Sequence, residues 1–131
     1  MKVLSIIKPD HPGLLAEITA VLQQAHIDIL DFSAQAVGGT AVISFRVEPY
    51  RVAFRLLSDA GYRVVSHEHL LVKLDNHAGA LAELSRRLAH AQVDVRGMHI
   101  VNRDDSACIV ALETADPATA REVLSDLLLP G

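Results

Sequence analysis

Hydrophobic positions along the chain change period in a fixed order, and the whole order then recurs. A short apolar run, Val3 to Ile7, is followed by a loop and a ladder at helical spacing through Leu15, Ile18, Leu22 and Ala25. Such a ladder predicts an amphipathic helix with one stripe on a core. The period then shortens to two, with Leu30, Phe32, Ala34 and Ala36 alternating against Asp31, Ser33 and Gln35. Gly38-Gly39 and the run Ala41 to Val47 follow, which predicts a β-hairpin. Pro49 sits at a plausible first-turn position of a second helix with Gly61 as its stop, and Tyr62 to Ser66 supplies one more strand. The element order is β-α-β-β-α-β.

The same order starts again downstream. Leu70, Val72 and Leu74 match the register of Leu4, Ile6 and Lys8, and Leu81, Leu84, Leu88 and Ala91 repeat the helical ladder. A hairpin runs through Gly97 to Val101, turns over residues 102 to 106 and returns as Ala107 to Leu112. Asp116-Pro117 then supplies a cap and first-turn pair ahead of a helix over Ala118 to Leu128. The repeat is explicit in residues as well as in pattern, because Asp10 to Ile29 returns as Asn76 to Val95. Of these twenty aligned positions eight are identical: His11/His77, Gly13/Gly79, Leu15/Leu81, Ala16/Ala82, Glu17/Glu83, Leu22/Leu88, Ala25/Ala91 and Asp28/Asp94. Internal duplication at this spacing means two copies of one small unit fused head to tail, 1–66 and 67–131.

A β-α-β-β-α-β unit folds as a ferredoxin-like sandwich, with two helices on one face of a four-stranded antiparallel sheet. The expected class is therefore α+β, with two such units in tandem. Only Leu129, Pro130 and Gly131 follow the last helix, too few for a full fourth strand in the second copy. Either that helix is shorter and Leu127 to Leu129 pair as a stub, or the sheet edge is left for a partner chain.

Composition narrows the chemistry. Half of the 131 residues are apolar but only 4% are aromatic, so the core is aliphatic. A net charge of −4 without a Lys/Arg run or an aromatic stripe disfavours nucleic acid and anionic membrane as partners. No stretch approaches the roughly 20 apolar residues that span a bilayer, and the N-terminus lacks secretory features, so a cytoplasmic protein is expected. The single cysteine, Cys108, lies inside an apolar strand with no base placed beside it. His67-Glu68-His69, with His77 nearby, is the sharpest metal-like cluster. It spans the junction between copies without a cysteine and reads as a solvated linker. No nucleophile, acid/base pair or phosphate loop is assembled by spacing, so no catalytic residue, metal or cofactor is expected.

The unit's first strand leads into Asp10-His11-Pro12-Gly13-Leu14-Leu15, of the form D-x-P-G-x-L, and its first helix ends in His26-Ile27-Asp28-Ile29. In these motifs it resembles the ACT domain, the small-molecule sensing module of amino-acid metabolism. The resemblance covers nearly the whole chain as a tandem pair, with Ala78 in the second copy where the family carries proline. It implies a non-enzymatic allosteric regulator that binds an amino acid or similar metabolite between ACT units, held by the strand-to-helix loop of one and the second strand of its neighbour. A homodimer or a complex with a metabolic enzyme is the implied assembly.

Carried onto this sequence, the ligand contacts are Asp10, His11, Pro12, Gly13, Leu14, Asp28 and Ile29 in the first copy. In the second copy they are Asn76, His77, Ala78, Gly79, Ala80, Asp94 and Val95. Gly13 and Gly79 sit where a strand meets a helix N-terminus, so a carboxylate can approach free N–H groups, leaving the ammonium or another polar group to Asp28 and Asp94. The plainer alternative is that both glycines serve the turn, both aspartates make local backbone bonds, and the chain only pairs subunits without a ligand of its own.

Overall fold

The computed structural model describes residues 1–130 and divides them into two compact units, Lys2–His67 and the residues from Glu68 onward together with Met1. In the first unit the chain runs β1 (Lys2–Pro9), α1 (Leu14–Gln24), β2 (Asp28–Val37), β3 (Thr40–Glu48), α2 (Tyr50–Asp59) and β4 (Val64–Glu68). The strands form one sheet in the order β2-β3-β1-β4. Gly38 and Gly39 join β2 to β3 with φ of 58° and 83°, the pair of positive angles that a tight hairpin requires. Leu4, Ile6, Ile43 and Phe45 pack with Leu14, Ile18 and Leu22 of α1 and Ala53 and Leu57 of α2.

The buried stripe of α1 is Leu14, Ile18 and Leu22, so Leu15 and Ala25, expected in the ladder, face outward. Both stripes fit a helical period, because Leu14 and Leu15 are adjacent and apolar. Leu14 takes the core place at the first turn, where the chain enters from β1, and Leu15 remains 44% exposed. The second copy makes the same choice, with Ala80, Leu84 and Leu88 buried and Leu81 38% exposed.

The second unit runs β5 (Leu70–Asp75), α3 (Ala80–His90), β6 (Val95–Arg103), β7 (Ala107–Thr114) and α4 (Pro117–Val123), with sheet order β5-β7-β6. Its last helix is shorter than the apolar pattern predicts and ends at Val123. The chain then turns so that Lys73 N donates to Leu127 O at 2.9 Å and Leu129 N to Leu71 O at 2.9 Å. This stub, bridged antiparallel at Val72 and Leu128, stands beside β5 as β4 stands beside β1. Of the two alternatives left by the sequence, the short helix with a stub is the one adopted. Three leucines gain more by closing the core edge than by extending an exposed helix.

Helix α4 is fixed at its start by Asp116, whose Oδ2 accepts from Thr119 Oγ1 at 2.6 Å and whose Oδ1 accepts from Thr119 N at 3.1 Å. These bonds, the hydroxyl's first, hold the Asp116 carboxyl below its ordinary range. A depressed carboxyl stabilises the fold above the ordinary carboxylate range, and the contribution is lost as pH falls through the lowered value. Asp116→Ala is therefore expected to lower the urea midpoint at neutral pH, with the gap to wild type closing on acidification. A gap that stays constant into acid would rule out the charged cap.

Candidate functional site

Gly13 and Gly79 have φ of 89° and 93°, the left-handed conformation that side chains resist, and each is the residue at which a strand-to-helix loop turns into its helix. The turn is closed by Leu14 N donating to His11 O at 3.3 Å and Glu17 N to Gly13 O at 3.0 Å. The next amides, of Leu15 and Ala16, belong to the first turn, whose N–H groups have no carbonyl of the same helix to meet. Here the first unit opens a hollow of about 470 Å³. Asp10, His11 and Gly13 form one wall and Leu14, Leu15 and Ala16 of α1 a second. The rest is built by Ala34, Gln35 and Ala36 of β2 and Ala41 and Ile43 of β3.

Small side chains make this space. Ala34 pairs with Ile43 and Ala36 with Ala41 in the β2–β3 register, so methyl groups stand where larger residues would fill the groove between strand and helix. At its mouth, His11 Nδ1 donates to Pro12 O at 2.9 Å, and His11 Nε2 lies 4.0 Å from Glu17 Oε2. Tyr62 donates its hydroxyl to the same Glu17 oxygen at 3.4 Å, and Lys8 Nζ stands 4.9 Å from the Tyr62 ring centroid. Burial pushes the Tyr62 phenol up, and the neighbouring Glu17 carboxylate adds to the shift.

Four of the expected contacts, Asp10, His11, Gly13 and Leu14, line one hollow, with Pro12 in the same loop. Asp28 and Ile29 lie in a separate hollow beyond the other end of α1, with Thr19, Gln23 and His26. Within this unit the loop and the start of β2 are thus kept apart by the length of the helix.

In the second unit Asn76, His77, Ala78, Gly79 and Ala80 form the equivalent loop, and Asp94 and Val95 lie past the far end of α3. Asn76 is already engaged there. Its Nδ2 donates to Asp104 O at 2.6 Å, and its Oδ1 accepts from Arg103 Nε at 2.9 Å.

Sequence reasoning did not reach Leu15, Ala16, Ala34, Gln35, Ala36, Ala41 and Ile43 as hollow residues. One signal was present in the duplication. Of the eight identities between the copies, His11, Gly13, Leu15, Ala16, Glu17 and Asp28 are exposed together with their counterparts. Meanwhile three of the four pairs buried in both copies, Leu14/Ala80, Ile18/Leu84 and Ile27/Val93, have diverged, and Leu22/Leu88 has not. Packing alone favours the reverse, since core positions resist change and exposed ones tolerate it. Among the described residues no group of three or more His, Cys, Asp or Glu is placed to hold a metal ion, and no helix is long and apolar enough to cross a membrane.

The β-α-β-β-α-β order of the first unit, repeated in the second with a stub in place of the last strand, makes this a tandem pair of ferredoxin-like α+β units. Among solved structures the chain is similar to protein BT0572 from Bacteroides thetaiotaomicron, with a TM-score of 0.79 at 23% identity over 98% of this chain and 90% of that one. It is also similar to the regulatory subunit of aspartate kinase from Thermus flavus, with a TM-score of 0.65 at 15% identity over 95% of this chain and 90% of that one. The aspartokinase alpha and beta subunits follow the same fold, with a TM-score of 0.61 at 19% identity over 95% and 90% of the two chains. These are likenesses of fold. No family model matches the sequence, and no curated protein matches it.

Proposed function

We propose that this protein is a non-enzymatic regulatory sensor that binds an amino acid or a similar small metabolite and signals to a metabolic enzyme or regulator by a shift in packing. The observation that carries this reading is the hollow at the start of α1, which offers the chemistry of an amino acid in one place. First-turn amides of Leu15 and Ala16, at the positive end of the helix dipole, suit a carboxylate. The Asp10 carboxylate suits an ammonium, and the alanine floor with Leu14 and Ile43 suits an apolar side chain. The hollow is open on one side, and a second ACT unit supplied by another copy of the chain would close it. A ligand that prefers the closed pair shifts the population toward it by its differential affinity and no more. The proposed setting is the cytoplasm, shared with the enzyme that is regulated.

A second reading is favoured by strand β2, all ten of whose residues are exposed although it carries Ile29, Leu30, Phe32 and Val37. An apolar edge strand of that length is a pairing surface, and the protein would then serve as a subunit-interaction module without a ligand. Thermal unfolding against the twenty amino acids and a set of biosynthetic end products separates the two. A ligand at 100 times its Kd adds about 2.7 kcal/mol, which raises Tm by several degrees in a chain of this size. A selective rise is the expected result. A flat response across the whole set would sink the sensor and leave the pairing module.

A further inference from the structure

The two copies differ at the positions that make the hollow, and the difference can be read from strand register alone. In the first unit Ala41, opposite Lys8 of β1, faces Ala36 of β2, and Ile43, opposite Ile6, faces Ala34. In the second unit Cys108, opposite Leu74 of β5, faces Arg103 of β6, and Val110, opposite Val72, faces Ile100. Lys8 and Leu74 are matched positions of the repeat, as are Ile6 and Val72, so Arg103 stands where Ala36 stands and Ile100 where Ala34 stands. Two methyl groups are replaced by a guanidinium side chain and a branched butyl group.

Arg103 also crosses to the strand-to-helix loop, where its Nε holds Asn76 Oδ1 at 2.9 Å. The hairpin turn that carries it is longer and fixed by its own bonds. Asp104 Oδ1 accepts from Ser106 N and Ser106 Oγ, each at 2.8 Å, and from Ala107 N at 2.9 Å. In the first unit the corresponding turn is Gly38-Gly39, and the loop meets it through the backbone, Asp10 N donating to Gly39 O at 2.8 Å. The Asp10 side chain therefore stays at the hollow, while its counterpart Asn76 is spent on the turn.

We infer that the copies have divided their roles: the first unit takes the ligand, a carboxylate with an uncharged aliphatic tail, and in the second unit Arg103 and Ile100 occupy the equivalent space as a built-in plug. The inference rests on the sensor reading and adds which copy binds and what kind of tail it accepts. Aliphatic selectivity follows from the floor, since Leu14, Ala34, Ala36, Ala41 and Ile43 offer a tail no hydrogen-bond or charge partner, Gln35 beside them carries no charge to pair with, and burying a charged group there would be penalised.

Backbone NMR of the full chain, titrated with L-valine, L-leucine and isovalerate, tests this copy by copy. The expected result is movement of the Gly13, Leu15 and Ala34 amides, with Gly79, Leu81 and Ile100 unmoved. Ala36→Arg, at an exposed strand position, is expected to abolish the first set of shifts while the rest of the spectrum is unchanged. Ile100→Ala with Arg103→Ala is expected to bring Gly79 and Leu81 into the response. Equal movement of both sets in the wild type would overturn the division of roles and leave the sensor intact. Silence toward these three probes alongside a thermal response to another amino acid would overturn the aliphatic assignment alone. Silence toward every compound would remove both proposals.

Discussion

Leu22→Ala is expected to destabilise the first unit by about 2–5 kcal/mol, the cost of deleting a buried leucine side chain whose surroundings cannot collapse fully into the space. Leu22 is wholly buried in a mostly aliphatic cluster, with Phe45 among its buried members and Tyr50, Phe54 and Tyr62 packed against it. A unit of this size buries a smaller share of its surface than a larger domain, so the loss is a substantial part of a stability that for small domains is roughly 5–15 kcal/mol. Leu88, the identical position of the second copy, is equally buried, and Leu88→Ala is expected to cost a similar amount in its own unit. Leu15→Ala, one helical face away at 44% exposure, should stay within about 0.5 kcal/mol. Urea denaturation followed by far-ultraviolet circular dichroism reads all three. A large loss for Leu15→Ala with little for Leu22→Ala would mean that the buried stripe had been assigned to the wrong face.

Most of the fold is legible in the sequence because the duplication supplies each element twice. The change of period from helical to alternating marks α1 and β2, the double glycine fixes the first hairpin, and Asp116-Pro117 marks the start of α4. Two local choices are not legible. Leu14 and Leu15 both satisfy a helical stripe, and only the entry of the chain from β1 decides between them. Leu124 to Leu128 reads as continuing helix by composition, with the stub open only as an alternative, and it is the free edge of β5 that captures residues 127 to 129. The loop half of the site is legible from its glycine and the repeat. The floor is not, because Ala34, Ala36 and Ala41 acquire meaning only when the β2–β3 register brings them beneath α1. Alanine in a strand carries no signal of its own. A missing side chain becomes a site only where its neighbours leave the space open, as the contrast of Ala36 with Arg103 illustrates.

Gly13→Val is expected to lower stability by about 1–3 kcal/mol and to remove the ligand's contribution to Tm, whereas Gly79→Val should cost a similar amount and leave that contribution in place. The shared cost comes from the backbone. A Cβ built at either glycine meets nothing within 4 Å, so no neighbour is struck, but a β-branched residue at φ near 90° is strained whatever the space around it. The difference comes from what each turn positions. If valine at 13 keeps the left-handed angle, its isopropyl group stands at the wall of the hollow. If the angle relaxes instead, the first turn of α1 moves and carries the Leu15 and Ala16 amides away from the carboxylate. Either route defeats binding in the first unit. In the second unit the loop holds Asn76 against Arg103 and Asp104 and, on the proposed division of roles, positions no ligand, so strain there is expected as lost stability alone. Thermal unfolding of wild type and both variants, with and without the best compound from the ligand set, separates strain from binding within one experiment. The intercept without ligand reports strain, and the rise with ligand reports the site. A preserved rise in Gly13→Val together with a lost rise in Gly79→Val would place the binding loop in the second copy, against the register argument. A preserved rise in both would mean that the ligand does not use the helix N-termini at all.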